Sequence, residues 1–247
     1  MTVLRTVDLS RSFGSLVVTN HVNLSIAAGE RHVIIGPNGA GKTSLINQIG
    51  GQLRPSAGRI FLKDVDVTGW PPNRISRRGV ARTFQRNNLF QNLSVIDNLR
   101  LAVQARHGQP LNFFTPVKKL LPLLERSEEL MREVHLDHDG TVLARHLSYG
   151  AQRQLEIGIA LAGDPDLLLL DEPTSGMSPR ETAGMIDLIA GLPRTVSILM
   201  IEHDMRVVFS LADRITVLYY GEVLATGTAA EIQASVRVRE VYLGMAH

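Results

Sequence analysis

The chain has 247 residues, 44% hydrophobic and 20% charged, enough apolar material for one large domain or two small ones and too much for wholesale disorder. Its 26 basic and 24 acidic side chains leave a formal charge of +2, which argues against a dedicated binder of nucleic acid or of an anionic membrane surface. Cysteine is absent, which excludes disulfide frameworks, thiolate nucleophiles and Cys-ligated zinc or iron–sulfur centres.

Residues 3–8, 22–26 and 31–35 are short apolar segments separated by turn signals and read as strands. Residues 43–49 follow a glycine-rich turn and read as a helix, and 58–62 and 64–67 as further short strands. In 95–106 and 118–134, apolar residues recur at helical spacing amid Arg and Glu. Between them, 107–116 holds Gly108, Pro110 and Pro116 and reads as a loop. The block 86–158 is therefore expected to be an inserted helical subdomain. After it, 167–170 is a fully apolar strand, 180–189 a helix, 196–201 a second buried strand and 206–211 the start of another helix. Such alternation predicts an α/β fold whose parallel sheet is covered on both faces. No apolar run approaches the ~20 residues that cross a bilayer. Residues 1–8 lack the apolar core of a signal peptide, so a cytoplasmic location is expected.

Gly36-Pro37-Asn38-Gly39-Ala40-Gly41-Lys42-Thr43 fits the pattern G-x-x-x-x-G-K-[ST] between a strand and a helix. Small residues let the backbone curl so that its N–H groups surround a phosphate, and the next helix adds its positive end. Lys42 supplies a charge for the β- and γ-phosphates and the Thr43 hydroxyl a magnesium ligand. The second apolar strand delivers Asp171 and Glu172 at its C-terminal end, where open α/β sheets place ligands. Asp171 is expected to hold magnesium, directly or through water, and Glu172 to polarise the water that attacks the γ-phosphate. Residues 198–201 end in Glu202-His203-Asp204, which places His203 at the same edge as a γ-phosphate contact.

Leu147-Ser148-Tyr149-Gly150-Ala151-Gln152 resembles the LSGGQ signature of ABC ATPases. The resemblance covers nearly the whole chain. It implies a P-loop NTPase of the ABC ATPase type: a RecA-like core, approximately 1–85 and 159–247, with an antiparallel β subdomain and a helical insertion, approximately 86–158. It implies ATP and Mg2+ as cofactors, with Gly36 to Ser44 cradling the phosphates. Ser148 and Gly150 would face the γ-phosphate held by a second subunit. Gln85, in Arg82-Thr83-Phe84-Gln85, resembles the glutamine that touches magnesium and the attacking water. Phe13, in Ser12-Phe13-Gly14, resembles the aromatic that stacks on adenine, with a core phenylalanine as the alternative. His203 stands where the switch histidine would be, and Ser175-Gly176-Met177-Ser178 where the D-loop would be. Tyr149, Ala151 and Ser178 depart from the common pattern, Ser178 replacing an aspartate.

The 82–85 motif, the insertion with Phe113-Phe114, the 201–205 segment and the closing Tyr242-Leu243-Gly244 narrow the resemblance to the ATP-binding subunits of branched-chain amino acid importers, LivG type. That implies an ATPase paired with a LivF-type subunit or with itself. The pair would sit on transmembrane permease subunits at the inner face of the membrane, with an external solute-binding protein and no nucleic acid partner. Arg74, Arg77, Arg78, Arg82 and Arg86 cluster in sequence, as a permease contact or as a solvated face. The alternative reading is a non-transport ABC ATPase acting on nucleic acid or ribosomes. Such proteins carry two cassettes, long coiled coils or zinc modules, features this chain lacks. A P-loop kinase or GTPase would leave the signature-like segment accidental.

Overall fold

The computed structural model describes residues 1–83, 89–106 and 117–243, with side chains for all of these except 117–120 and 242–243. Phe84, Gln85, Arg86, Phe113, Phe114 and Gly244 lie outside the described residues. The strands and helices follow in chain order. First come β1 (Thr2–Phe13), β2 (Leu16–Ala27), β3 (Arg31–Ile35), α1 (Lys42–Ile49), β4 (Ala57–Leu62), β5 (Val65–Asp66), α2 (Pro72–Arg77) and β6 (Val80–Arg82). Then follow α3 (Val95–Arg106), α4 (Val117–Glu133), α5 (Tyr149–Leu161), β7 (Leu167–Asp171), α6 (Pro179–Gly191), β8 (Ser197–Ile201) and α7 (Met205–Leu211). The chain closes with β9 (Arg214–Tyr219), β10 (Glu222–Gly227), α8 (Ala229–Ala234) and α9 (Val236–Leu243). Two compact units result: Met1–Val80 with Asp166–Pro173 and Pro193–His247, and Ala81–Pro165 with Thr174–Leu192.

The first unit contains an antiparallel sheet in the order β2-β1-β4-β5. In β2, buried Val22, Leu24 and Ile26 alternate with exposed His21, Asn23 and Ser25, the period of a strand with one wet face. Buried Thr6 of β1 donates to the Val22 carbonyl and accepts from the Leu24 N–H, both at 2.9 Å, so its hydroxyl is satisfied by the neighbouring strand.

The same unit holds a sheet in the order β10-β9-β3-β8-β7, and the chain leaves through β6 beyond β7. β3 pairs in parallel with β8 and β9, and β7 with β8. Every residue of β3, β7 and β8 is buried, which is why their sequences run apolar without alternation. Helix α1 puts Leu45, Ile46 and Ile49 into a core with Ile34, Leu169, Leu199 and Ile201 of this sheet and Leu4, Leu9 and Ile26 of the other. Each such side chain contributes about 1.5–3 kcal/mol by burial. One polar thread crosses the parallel sheet. His32 Nδ1 lies 2.7 Å from Glu30 Oε1 and Nε2 2.7 Å from Thr216 Oγ1, which in turn lies 2.9 Å from Thr226 Oγ1.

The second unit is helical. Buried Leu99 and Val103 of α3, Leu130 of α4, Val134 just beyond it, and Leu155 and Leu161 of α5 form its interior. Gly158 lets α5 approach closely: a Cβ there would lie 3.0 Å from Leu99 and 3.3 Å from Val134. Among the described residues no helix is long and apolar enough to cross a membrane.

Candidate active site

The phosphate-loop segment begins where β3 ends and closes into α1. Gly41 caps α1 with a φ of 96°, a left-handed conformation that favours glycine, and a Cβ on it would run into the Val18 carbonyl of β2. A Cβ on Gly36 would collide with the Leu218 carbonyl of β9. The turn between β9 and β10 holds the loop further, since the Gly221 N–H donates to the Ala40 carbonyl at 3.0 Å. Pro37 is half-buried, and Asn38 and Gly39 are exposed at the tip.

Lys42 is buried, and its Nζ donates to the carbonyls of Gly36 at 2.7 Å and Pro37 at 3.0 Å. Burial pushes its ammonium below the usual amine range, while the Glu172 and Asp171 carboxylates pull it back toward the charged form. Thr43 is exposed on the first turn of α1 and Ser44 half-buried beside it.

The ends of β7 and β8 face this loop's strand across the parallel sheet. Asp171, buried, stands in register with Ile201. Glu172 follows with a φ of 49°, unusual for a non-glycine residue, and its N–H donates to the Ile201 carbonyl at 3.0 Å. Strain of this kind persists where the surroundings over-determine it. His203 is exposed, with Nδ1 3.9 Å from Glu172 Oε1 and 4.0 Å from Glu202 Oε2. Glu202 is fully buried and accepts the His203 N–H at 3.0 Å, so it orients the turn that presents the imidazole. One sheet edge thus carries Lys42, Asp171, Glu172 and His203.

Phe13 ends β1, 49% exposed, with the Arg11 guanidinium 4.4 Å above its ring. It is therefore not a core residue. Its hairpin also carries Val18, the residue against Gly41.

Ser148 and Gly150 belong to the second unit, and Gln85 lies outside the described residues. Ser148 caps α5, its hydroxyl accepting the Ala151 N–H at 3.2 Å. Gly150 is buried and donates its N–H to Glu181 Oε1 at 3.0 Å. The Ser178 hydroxyl and N–H and the Gly150 N–H hold the Glu181 carboxyl down at about 2. Glu181 and Glu202 are contributors that motif reading passes over. For Glu181 a signal exists, because Ser178-Pro179-Arg180-Glu181 has the spacing of a capping box.

Magnesium fits the donors present. It takes one or two protein oxygens plus substrate phosphates and water, not an all-protein cage. A buried carboxylate at Asp171 and a hydroxyl at Thr43 are such a set.

Residues 19–175 match the family model described as ABC transporter, and 222–245 match that of the branched-chain amino acid ATP-binding cassette transporter. The chain is 39% identical to the high-affinity branched-chain amino acid transport ATP-binding protein BraF of Pseudomonas aeruginosa, over 99% of this chain and 98% of that one. It is 38% identical to LivG of Escherichia coli (strain K12), a protein of the same description, over 96% of each. The crystal structure of the ADP conformation of MJ1267, an ATP-binding cassette of an ABC transporter, superimposes with a TM-score of 0.84 at 27% identity, covering 99% of each chain. The chain belongs to the ABC transporter family, as an ATP-binding cassette that binds nucleotide and hydrolyses ATP.

Proposed function

We propose that this cassette powers an importer of branched-chain amino acids or of a related small polar solute. The observation that carries the hydrolytic part is the single sheet edge with Lys42, Asp171, Glu172 and His203. The full-length likeness to BraF and LivG supports the cargo.

In this reading the N–H groups from Gly36 to Ser44 surround the phosphates and Lys42 places a charge on their β/γ oxygens. Phe13 stacks on the adenine. Thr43, Asp171 and Gln85 would hold magnesium, which would supply neutralisation of the phosphate charge. Glu172 accepts a hydrogen bond from a water and orients its lone pair toward the γ-phosphorus. A new P–O bond forms to that oxygen, the bond to the β-phosphate oxygen breaks, and ADP and inorganic phosphate leave. His203, beside Glu172, donates to the γ-phosphate. Ser148 and Gly150 serve the nucleotide held on a second ATPase subunit, a copy of this chain or a LivF-type relative. ATP has a higher affinity for the closed pair than for the open one, and that difference drives the permease. The pair sits on permease subunits at the inner face of the cell membrane.

Glu172→Gln tests this assignment. In the assembled transporter it is expected to retain ATP binding, to lose nearly all turnover and to trap a closed, ATP-loaded pair. Brisk hydrolysis by that variant removes Glu172 from the mechanism. Loss of leucine, isoleucine and valine uptake on deletion of the chain tests the cargo, and unchanged uptake of all three refutes it.

A further inference from the structure

The N-termini of α5 and α6 are joined through one side chain. Glu181 Oε1 accepts the Gly150 N–H at 3.0 Å. Its Oε2 accepts the Ser178 N–H at 3.0 Å and lies 2.7 Å from Ser178 Oγ, completing the capping box of α6. Beside this link the Tyr149 ring stands against Gly176. Arg153 fixes that ring by donating to the Tyr149 hydroxyl from Nε at 3.2 Å and Nη2 at 3.0 Å.

Gly150 sits two residues inside the cap of α5, where backbone donors have no partner within the helix and the dipole is positive. Ser148 Oγ takes the Ala151 N–H, and the Glu181 carboxylate takes that of Gly150. The carboxylate lies across the turn. A Cβ on Gly150 would lie 2.9–3.0 Å from the Glu181 side chain, so a larger residue there would push that carboxylate aside. With its carboxyl held at about 2, Glu181 is ionised at every physiological pH.

We infer that Glu181 is a positioning residue of the hydrolysis cycle: in the free chain it occupies the Gly150 N–H that a terminal phosphate takes when the ATPase pair closes. This rests on the reading that Ser148 and Gly150 serve the nucleotide on the second subunit. Two anions cannot share one N–H at close range without repulsion. Closure therefore requires Glu181 to release Gly150 while Oε2 keeps its hold on Ser178. The carboxylate sets a threshold, since nucleotide must displace it before the signature turn is engaged.

The test compares wild type, Glu181→Gln, Glu181→Ala and Ser148→Arg in the transporter assembled with its permease in liposomes. Turnover is followed against ATP concentration, and thermal unfolding is recorded in parallel. Glu181→Gln is expected to lower the KM for ATP about three- to tenfold, and Glu181→Ala at least as far, because the competing anion is gone. A part that is only structural gives the opposite pattern, a lower kcat with KM unchanged or raised. An unchanged or raised KM in Glu181→Gln overturns the inference. Should Glu181→Ala fail to fold, Glu181→Gln still decides, because its amide oxygen keeps an acceptor for the α6 cap. Ser148→Arg separates the two levels, since it should abolish turnover by filling the signature turn. Wild-type turnover in Ser148→Arg refutes the underlying reading. Lost turnover there with an unchanged KM in Glu181→Gln refutes the role of Glu181 alone.

Discussion

Lys42→Ala removes an ammonium that serves the loop before it serves the nucleotide. Its Nζ already donates to the Gly36 and Pro37 carbonyls at 2.7 and 3.0 Å. Hydrogen bonds from a charged donor contribute about 1.5–3 kcal/mol each. Burial penalises the same charge, as the lowered amine pKa records, so the net loss to the nucleotide-free chain is set at about 1–2 kcal/mol. In a chain of this size that corresponds to a fall in Tm of about 2–8 °C. An ammonium carries three donors, and two are committed to carbonyls, which leaves one for a phosphate oxygen without dismantling the loop. One charge-assisted bond at about 1.5–3 kcal/mol gives about 10- to 150-fold weaker ATP binding. Calorimetric titration in a Glu172→Gln background, where turnover does not consume the ligand, measures the affinity. Scanning calorimetry without nucleotide measures the loop. An affinity within threefold of wild type refutes the phosphate role, and an unchanged Tm refutes the internal latch.

Thr216→Val tests the polar thread through the parallel sheet. It keeps the shape but strips the buried His32 Nε2 of its 2.7 Å partner, and a loss of about 1–3 kcal/mol is expected in urea unfolding. A loss below about 0.3 kcal/mol, the usual error of additivity, contradicts that accounting. Phe13→Ala should leave stability within about 0.5 kcal/mol, because the ring is half exposed. Its ATP affinity should fall by about 1–3 kcal/mol, the range for lost base stacking. An unchanged affinity refutes the stacking role of Phe13.

What was legible in the sequence follows from how each element is buried. Strands β3, β7 and β8 are covered on both faces, so they appear as contiguous apolar runs, and their C-terminal ends announce the loop, Asp171 and His203. The far ends of β1 and β2 are less visible. Phe13, Leu16 and Val17 are exposed, Arg11 and Ser12 are half-buried, and all are kept extended by backbone pairing, which leaves no apolar alternation to read. The β9–β10 hairpin escapes notice for a related reason: β10 has a single buried residue, Gly227, and its importance lies in a turn that grips Ala40. Helix α2 is a single short element with one buried residue, Ile75, and its Arg74 lies 3.9 Å over Trp70. Side-chain links between remote segments are the least legible of all. His32 meets Thr216 at a separation of 184 residues and Gly150 meets Glu181 at 31, contacts that exist only once the tertiary fold has formed.

The placement of β3 between β8 and β9 also governs when the site comes into being during synthesis. The residues that clamp the phosphate loop, Leu218 and Gly221, lie near the end of the chain, as do the register partners of Val33 and Ile35, Met200 and Val217. A ribosome-bound chain can complete the β1–β2 hairpin from local contacts, but its loop has no seat until the last strands emerge. Pairing over such separations is slow, and the waiting strands 31–35 and 167–170 are apolar edges open to wrong partners. Truncation before β9 should therefore yield a chain that is prone to aggregate and unable to retain nucleotide, although its phosphate-loop sequence is intact.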